Sequence, residues 1–161
     1  RLISARRGAV AAEYAIIAVP FLTLLFAIIE TGYIFFSAVL IENGTANAAR
    51  QIRTGTVQAS GAPITQFRAI LCANLFNVIP CNNVRVDVRN FTTFGAARNA
   101  PALAGAAAGD QFAPGNAGDI VVVRVSWSWN FITPFINRLL GNVDGGQRAF
   151  VASAAFRNEP F

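Results

Sequence analysis

The N-terminal part of the chain contains a long run of mostly apolar residues. From residue 8 it reads GAVAAEYAIIAVPFLTLLFAIIETGYIFF, and the sixteen residues between Glu13 and Glu30 carry no charge. About 20 apolar helical residues suffice to cross a bilayer, and a buried helix of a soluble protein rarely runs so long without a polar face. The pattern therefore predicts a transmembrane helix over residues 9–36.

This helix is expected to extend beyond the membrane. Small and helix-tolerant residues continue over 37–53 and turn chemistry follows over 54–63, so one helix should run from about residue 9 to about residue 53. Pro20 removes a backbone donor inside the span and should kink the helix. A cleaved secretory signal is the rival interpretation, but its apolar region would be only about 7–15 residues long. The longer run favours a retained anchor.

The pattern after the helix is that of a small α+β domain, assigned to residues 54–161. Apolar residues recur at helical spacing from Ile64 onwards, which predicts a short helix ended by Pro80. The expected fold class is α+β: a long N-terminal transmembrane helix continuing outward, a short helix and a three- to four-stranded antiparallel sheet. Alternating apolar and polar residues predict the half-buried strands, and they occur over residues 84–90, 120–130 and 149–156.

Two other stretches carry weaker signals. Residues 95–118 are rich in alanine, glycine and proline, and a loop of this length is either functional or mobile. The mobile loop is the favoured interpretation. Residues 131–140, FITPFINRLL, form an apolar piece after the second strand that is either a helical turn or a surface segment.

The distribution of charge predicts an orientation. The net charge of +5 is carried by arginine, and three arginines lie within residues 1–8, before the apolar run. Two acids, Glu30 and Glu42, come before the next arginine. The positive-inside rule therefore predicts that the leader-like residues 1–8 are cytoplasmic and that the domain over residues 54–161 is periplasmic. The other arginines are scattered without a basic run, which argues against binding to nucleic acid.

Composition also restricts the possible chemistry. The chain contains no histidine, so the commonest general base and metal ligand is missing. Two cysteines without histidine cannot form a usual zinc site. No serine or cysteine has a plausible base nearby, and glycine patterns of the phosphate-binding type are absent. We therefore expect no catalytic residues, no metal and no cofactor, and we do not expect an enzyme.

Two cysteines lie nine positions apart, at Cys72 and Cys81. Outside the cytoplasm this pair is expected to form a disulfide. Two free buried thiols are the alternative.

Glu13 is an unusual residue because it places a carboxylate four positions into an apolar helix. Such a charge is costly unless it is paired or lies near the lipid headgroups. One interpretation is an interfacial side chain that reaches water. The other is an intramembrane pair with a positive charge on another chain.

The N-terminal residues resemble the processing region of type IV pilin-like proteins: Arg6-Arg7-Gly8, then four small or apolar residues, then Glu13-Tyr14. The resemblance implies cleavage by a prepilin peptidase between Gly8 and Ala9, which would make Glu13 the fifth residue of the mature chain. The whole segment up to residue 55 is similar to the TadE-like pseudopilins of tight adherence (Tad) pilus systems. Its proline, its Glu-x-Gly sequence and its Ala-Ala-Arg segment carry this similarity. The ending AFVASAAFRNEPF also looks like that family's C-terminus.

The resemblance implies a TadE-like minor pilin or pseudopilin, a membrane-anchored structural or assembly protein of a bacterial pilus or secretion system. It would lie in the bacterial inner membrane as a single-pass protein. Its partners would be the lipid bilayer and, through the N-terminal helix, pilin-like subunits or other membrane proteins. The presence of residues 1–8 in the chain favours a second expectation. In it, the protein is retained uncleaved as an accessory single-pass subunit of a larger inner-membrane complex.

Overall fold

The computed structural model divides the chain into two compact units. The first comprises Arg1–Phe35 and Trp129–Arg148, and the second comprises Phe36–Ser128 and Ala149–Phe161. Nine residues of the loop predicted over 95–118 lie outside the described part of the chain, which also omits the side chains before Gly8. The described residues are 2–100, 110–133, 135–143 and 145–161.

Four helices and four strands make up the described structure, together with two short 3-10 turns at Gln58–Ser60 and Cys81–Asn83. One long N-terminal helix is followed by short helices and strands, which confirms the α+β prediction. The elements are α1 (Leu2–Arg53), α2 (Pro63–Ala73), β1 (Arg85–Phe91), α3 (Phe94–Arg98), β2 (Gln111–Phe112), β3 (Ile120–Asn130), α4 (Ile136–Leu140) and β4 (Gln147–Arg157).

Helix α1 ends at Arg53, as the sequence predicts, but it begins at Leu2 rather than near residue 9. Residues 2–7 contain no helix breaker, and a single glycine at position 8 costs only about 1 kcal/mol relative to alanine. The helix assignment continues through Pro20. The kink expected there stays a prediction.

In the second unit, α1 packs closely on α2 at Gly44. A Cβ atom at this position would lie 3.2 Å from Cδ1 of Leu71, so glycine permits the close approach of the two helices. Asn47 Nδ2 donates to Oδ1 of Asn74 at 3.0 Å beside this contact. The buried apolar residues of this unit form a core supplied by helix α1, helix α2 and the sheet: Leu40, Ile41, Ala48, Ala49, Ile52, Phe67, Leu71, Val84, Val86, Val88, Val121, Val123 and Val125.

The four strands form one sheet in the order β2-β1-β3-β4. Strands β1 and β3 are antiparallel, with Val86 opposite Val125. Strand β2 is parallel to β1, with Val88 opposite Phe112, so the prediction of a purely antiparallel sheet is wrong and the sheet is mixed. The chain leaves β1, forms α3 and returns along the outer side of β1 in the same direction. Such a crossover is the connection that parallel strands require.

Helix α2 ends at Ala73, earlier than the spacing of apolar residues suggests. Phe76 and Asn77 have φ angles of 49° and 58°, in the left-handed region, and they turn the chain before Pro80. Leu75 and Ile79 nevertheless remain buried. The apolar stripe of α2 contacts the sheet as expected, since the rings of Phe67 and Phe112 lie 5.4 Å apart.

The C-terminus is attached to the end of α1 within the second unit. The amide of Glu159 donates to the carbonyl of Arg53 at 2.9 Å, and the two side chains form an exposed ion pair at 2.9 Å. The ring of Phe161 lies against Gly55, whose φ of 77° follows the end of the helix. The last residues therefore cover the point where the chain turns away from α1.

Candidate functional site

The surface of α1 in the first unit is apolar and open. The helix contains an 18-residue window with mean hydropathy 2.2, and none of that window is buried. Ile16, Ile17 and Phe21 are each more than 60% exposed. A core helix would be covered by its own chain, whereas this helix is long and apolar enough to cross a membrane. It is therefore a candidate membrane span, as the sequence predicts, and its orientation stays a prediction.

The residues expected to be read by a processing enzyme lie on this exposed helix. Gly8, Ala9 and Glu13 are all exposed. Within the described part of the chain, neither a hydrogen bond nor an ion pair is found at Glu13. Cleavage between Gly8 and Ala9 and pairing of Glu13 with another chain both stay predictions.

Glu30 forms a polar site near the end of the candidate span that is distal to Ala9. Its side chain is buried, and Oε1 accepts hydrogen bonds from Nε1 of Trp129 at 2.9 Å and from the amide of Ile132 at 2.7 Å. Oε2 accepts from the amide of Thr133 at 2.9 Å. A buried carboxylate must be hydrogen-bonded to be tolerated, and these donors satisfy it. The carboxylate therefore fastens the chain that follows β3 to helix α1.

Sequence reasoning did not identify this role of Glu30. In the sequence, Glu30 is only an acid that follows the apolar run and the first residue of the Glu-x-Gly sequence. Its partners are about 100 positions away and include two backbone amides, which have no sequence signature. The one available signal was an acid within a long apolar helix, which usually marks a paired or functional group.

An apolar pocket of about 470 Å³ lies next to Glu30. Thr23, Phe26 and Ile29 of α1 line one side, and Trp129 and Ile132 line the other. The ring of Tyr33 contacts that of Trp129, with centroids 4.8 Å apart. The pocket has almost no polar lining apart from Glu30 and two threonines, so its chemistry suits a hydrocarbon chain rather than a polar substrate.

The segment after β3 carries large apolar side chains that its own chain does not cover. Ile132, Phe135 and Leu139 are 80%, 70% and 78% exposed. Phe135 precedes α4 with a φ of 70°, which is unusual for a bulky residue. The sequence predicts that residues 131–140 form either a helical turn or a surface segment. The described residues show both features, because a short helix lies within them and most of them are exposed.

The polar contacts of the second unit join its elements. Asp87 lies on the polar face of β1 yet is buried, because it pairs with Arg89 at 2.7 Å and with Arg124 of β3. Arg68 of α2 pairs with Asp110, and Oδ1 of Asp110 also accepts from the amide of Val86 at 3.1 Å. These polar contacts link α2 to the start of β1, and β1 to β3.

Asp119 closes the turn before β3. It accepts hydrogen bonds from the amide of Asn116 at 2.9 Å and from Nδ2 of Asn90 at 3.3 Å. These bonds, the first of them above all, lower the pKa of the Asp119 carboxyl below its usual value.

Cys72 and Cys81 form the disulfide that the sequence predicts, with Cα atoms 5.7 Å apart. It joins the end of α2 to the 3-10 turn before β1. No group of three or more potential ligands that could hold a metal ion is found in the described ranges.

Comparison with protein families bears on the N-terminal segment. The family model described as TadE-like protein matches residues 8–50. The N-terminal segment is similar to TadE-like proteins. The match confirms the resemblance and supports a pilus-associated protein of the pseudopilin type. It covers 43 of the 161 residues. These include the part of α1 in the first unit from Gly8 onwards, with Glu13 and Glu30, and most of the part of α1 in the second unit. No curated protein and no solved structure matches the chain.

Proposed function

We propose that the protein is a membrane-anchored, TadE-like minor pilin or pseudopilin that acts as a structural or assembly subunit of a bacterial pilus or secretion system. Helix α1 anchors it in the inner membrane and presents an apolar surface to pilin-like subunits. The domain over residues 54–161 lies on the periplasmic side. No catalytic step is part of this function.

One observation carries the proposal. The TadE-like match coincides with a helix whose apolar side chains are largely exposed over residues 9–29. Exposed apolar surface of this extent requires lipid or protein partners. A helix that is first solvated by lipid and later packed against other helices meets this requirement, and a pilin-like subunit works in this way.

The proposal is tested by site-specific photo-crosslinking from α1 in cells that make the pilus system. A photoreactive residue at Ile17, which is 69% exposed, should capture pilin-like subunits of the same system. The matched control is a photoreactive residue at Phe94, which is 61% exposed on α3 in the second unit. Adducts from Ile17 that contain only subunits of an unrelated membrane complex would contradict the proposal and favour an uncleaved accessory subunit.

Glu13 is proposed to pair with a positive group on a neighbouring chain. Its own helix offers only apolar residues one turn away, such as Ala9 and Ile17. In a processed chain the natural partner is the new amine of Ala9 on another copy. The change Glu13→Gln removes the charge and keeps the shape, so it should impair assembly into the parent structure. Unchanged assembly and abundance would show a side chain that merely reaches interfacial water.

The orientation is tested separately with reporters fused to the C-terminus. A reporter active only in the periplasm should be active, because arginines precede the span and acids follow it. Activity of a cytoplasmic reporter, with silence of the periplasmic one, would refute the topology.

A further inference from the structure

We propose that residues 131–133 and 135–143, named here the interfacial segment, lie in the lipid headgroup layer with their exposed apolar side chains among the acyl chains. The segment carries Ile132, Phe135 and Leu139, all at least 70% exposed. The proposed occupant of this surface is the bilayer itself. The inference uses the membrane anchoring of α1 and does not depend on a pilus role.

The distance along α1 from Ala9 to Glu30 matches the thickness of the hydrocarbon core of a bilayer. Twenty-one helical steps separate Ala9 from Glu30, which is about 32 Å of rise. The hydrocarbon core of a bilayer is about 30 Å thick. With Ala9 at one boundary, Glu30 therefore reaches the opposite boundary. The hydrogen bonds from Ile132 and Thr133 to Glu30 hold the interfacial segment at this level.

An aromatic pair lies beside Glu30, at the same level of the helix. Tyr33 and Trp129 contact each other, with ring centroids 4.8 Å apart, and Nε1 of Trp129 donates to Glu30. Tyrosine and tryptophan are enriched at membrane–water interfaces because their rings are amphipathic. The pair therefore marks the depth at which the segment leaves α1.

Several backbone groups of the interfacial segment have hydrogen-bond partners within the protein. Irregular backbone cannot lie against lipid unless its polar groups have partners. The amides of Ile132 and Thr133 both donate to Glu30, so the part of the segment nearest the helix is satisfied without water. Farther along, the carbonyl of Leu140 accepts from Nη1 of Arg148 at 3.0 Å, and residues 136–140 are helical. This arrangement suits the boundary layer rather than the hydrocarbon centre.

The interfacial segment carries a single basic residue among apolar ones. Arg138 is the only charged residue in the sequence from 131 to 143, and it is exposed beside Leu139. Basic side chains with apolar neighbours are typical of helices that bind a membrane surface, where cations meet anionic headgroups. Ile132 of the segment also lines the apolar pocket beside Glu30, which has room for part of an acyl chain.

The test places an environment-sensitive fluorophore at Leu139→Cys in the full-length protein, reconstituted into vesicles that contain anionic lipid. The native cysteines are joined in the disulfide, so alkylation without reductant labels only the introduced thiol. Phe94→Cys is the matched control, since Phe94 is also exposed but lies in the second unit. Ile132→Cys provides a second site in the segment. Lipids with a nitroxide at a shallow acyl position act as the quencher.

We expect quencher lipids to remove most of the fluorescence at positions 139 and 132 and little at position 94. Equal quenching at Leu139 and Phe94 in protein that co-floats with vesicles would overturn the inference. So would a Leu139 label that is protected from the quencher only at high protein density, because a second copy would then be the occupant. Failure to co-float would contradict the anchoring as well, so the two failures are distinguishable.

Discussion

Oε1 of Glu30 accepts a hydrogen bond from Nε1 of Trp129 at 2.9 Å, across 99 residues of sequence. The same oxygen accepts the amide of Ile132, and Oε2 accepts the amide of Thr133. One side chain on a candidate membrane helix thereby holds the chain that follows β3.

Replacing Glu30 should release the segment that it holds. Glu30→Ala leaves the donors of Trp129, Ile132 and Thr133 without their acceptor, and a donor that stays buried without a partner costs about 1–3 kcal/mol. Hydrogen exchange at the amides of Ile132 and Thr133 should accelerate by about 10- to 100-fold, which corresponds to about 1.4–2.8 kcal/mol. Glu30→Gln should have a smaller effect, because its amide keeps one acceptor oxygen.

Glu42→Gln is the matched control for this experiment, since Glu42 is an exposed acid on the same helix. It should leave exchange at both amides unchanged. Wild-type exchange rates at Ile132 and Thr133 in Glu30→Ala would show that the carboxylate does not hold the segment.

The disulfide should stabilise the second unit. In the chain-entropy model, closing a ring over a sequence separation of 9 contributes about 2.5 kcal/mol. The double variant Cys72→Ser/Cys81→Ser should lose about this much free energy of unfolding in denaturant titrations without reductant. Reductant should weaken the wild type and leave the variant unaffected. Equal stability of the two proteins, or alkylation of both native thiols without reductant, would argue against the bridge.

A side chain at Gly55 should destabilise the folded protein. Its φ is 77°, and a Cβ atom would overlap the ring of Phe161. Gly61 has a similar φ of 73° but open space around it, so Gly61→Ala measures the backbone cost alone, about 1–2 kcal/mol. Gly55→Ala should cost about 1–3 kcal/mol more, because the ring must move. The excess should vanish in a Phe161→Ala background, and an excess that persists there would rule out the ring as its cause.

Asp119 should make stability depend on pH. Its pKa is lowered in the folded protein, chiefly by the amide of Asn116 and then by Asn90. The stabilisation is therefore fully present above the pKa of the unfolded chain, about 3.9, and is lost as pH falls through the lower folded pKa. The difference in free energy of unfolding between wild type and Asp119→Asn should shrink below about pH 4. A difference that grows on acidification would contradict this sign.

The sequence predicts those parts of the fold in which local pattern and tertiary packing agree. Alternation places Val84, Val86 and Val88 on one face of β1, and all three are buried. The end of α1 at Arg53 follows from the turn residues after it. In both cases the local sequence pattern is enough to predict the structure, without knowledge of distant partners.

The sequence does not predict features that arise from distant partners. Strand β2 has two residues, too few for any alternation, and it exists because it pairs with Val88 of β1. Asp87 should be exposed by its place in the alternation, yet Arg124 of the neighbouring strand allows it to be buried. Glu30 is likewise buried because of distant partners, which lie about 100 positions away in the sequence. The candidate interfacial site was therefore missed, whereas the apolar helix was found.

The N-terminal residue of the mature protein tests the pseudopilin account most directly. The protein is purified from cells of the pilus system with and without the prepilin peptidase, and its N-terminus is determined by intact mass and terminal sequencing. The account predicts that the chain begins at Ala9 when the peptidase is present and retains Arg6-Arg7-Gly8 when it is absent. A chain that keeps these residues in cells whose other pilins are cut would contradict it.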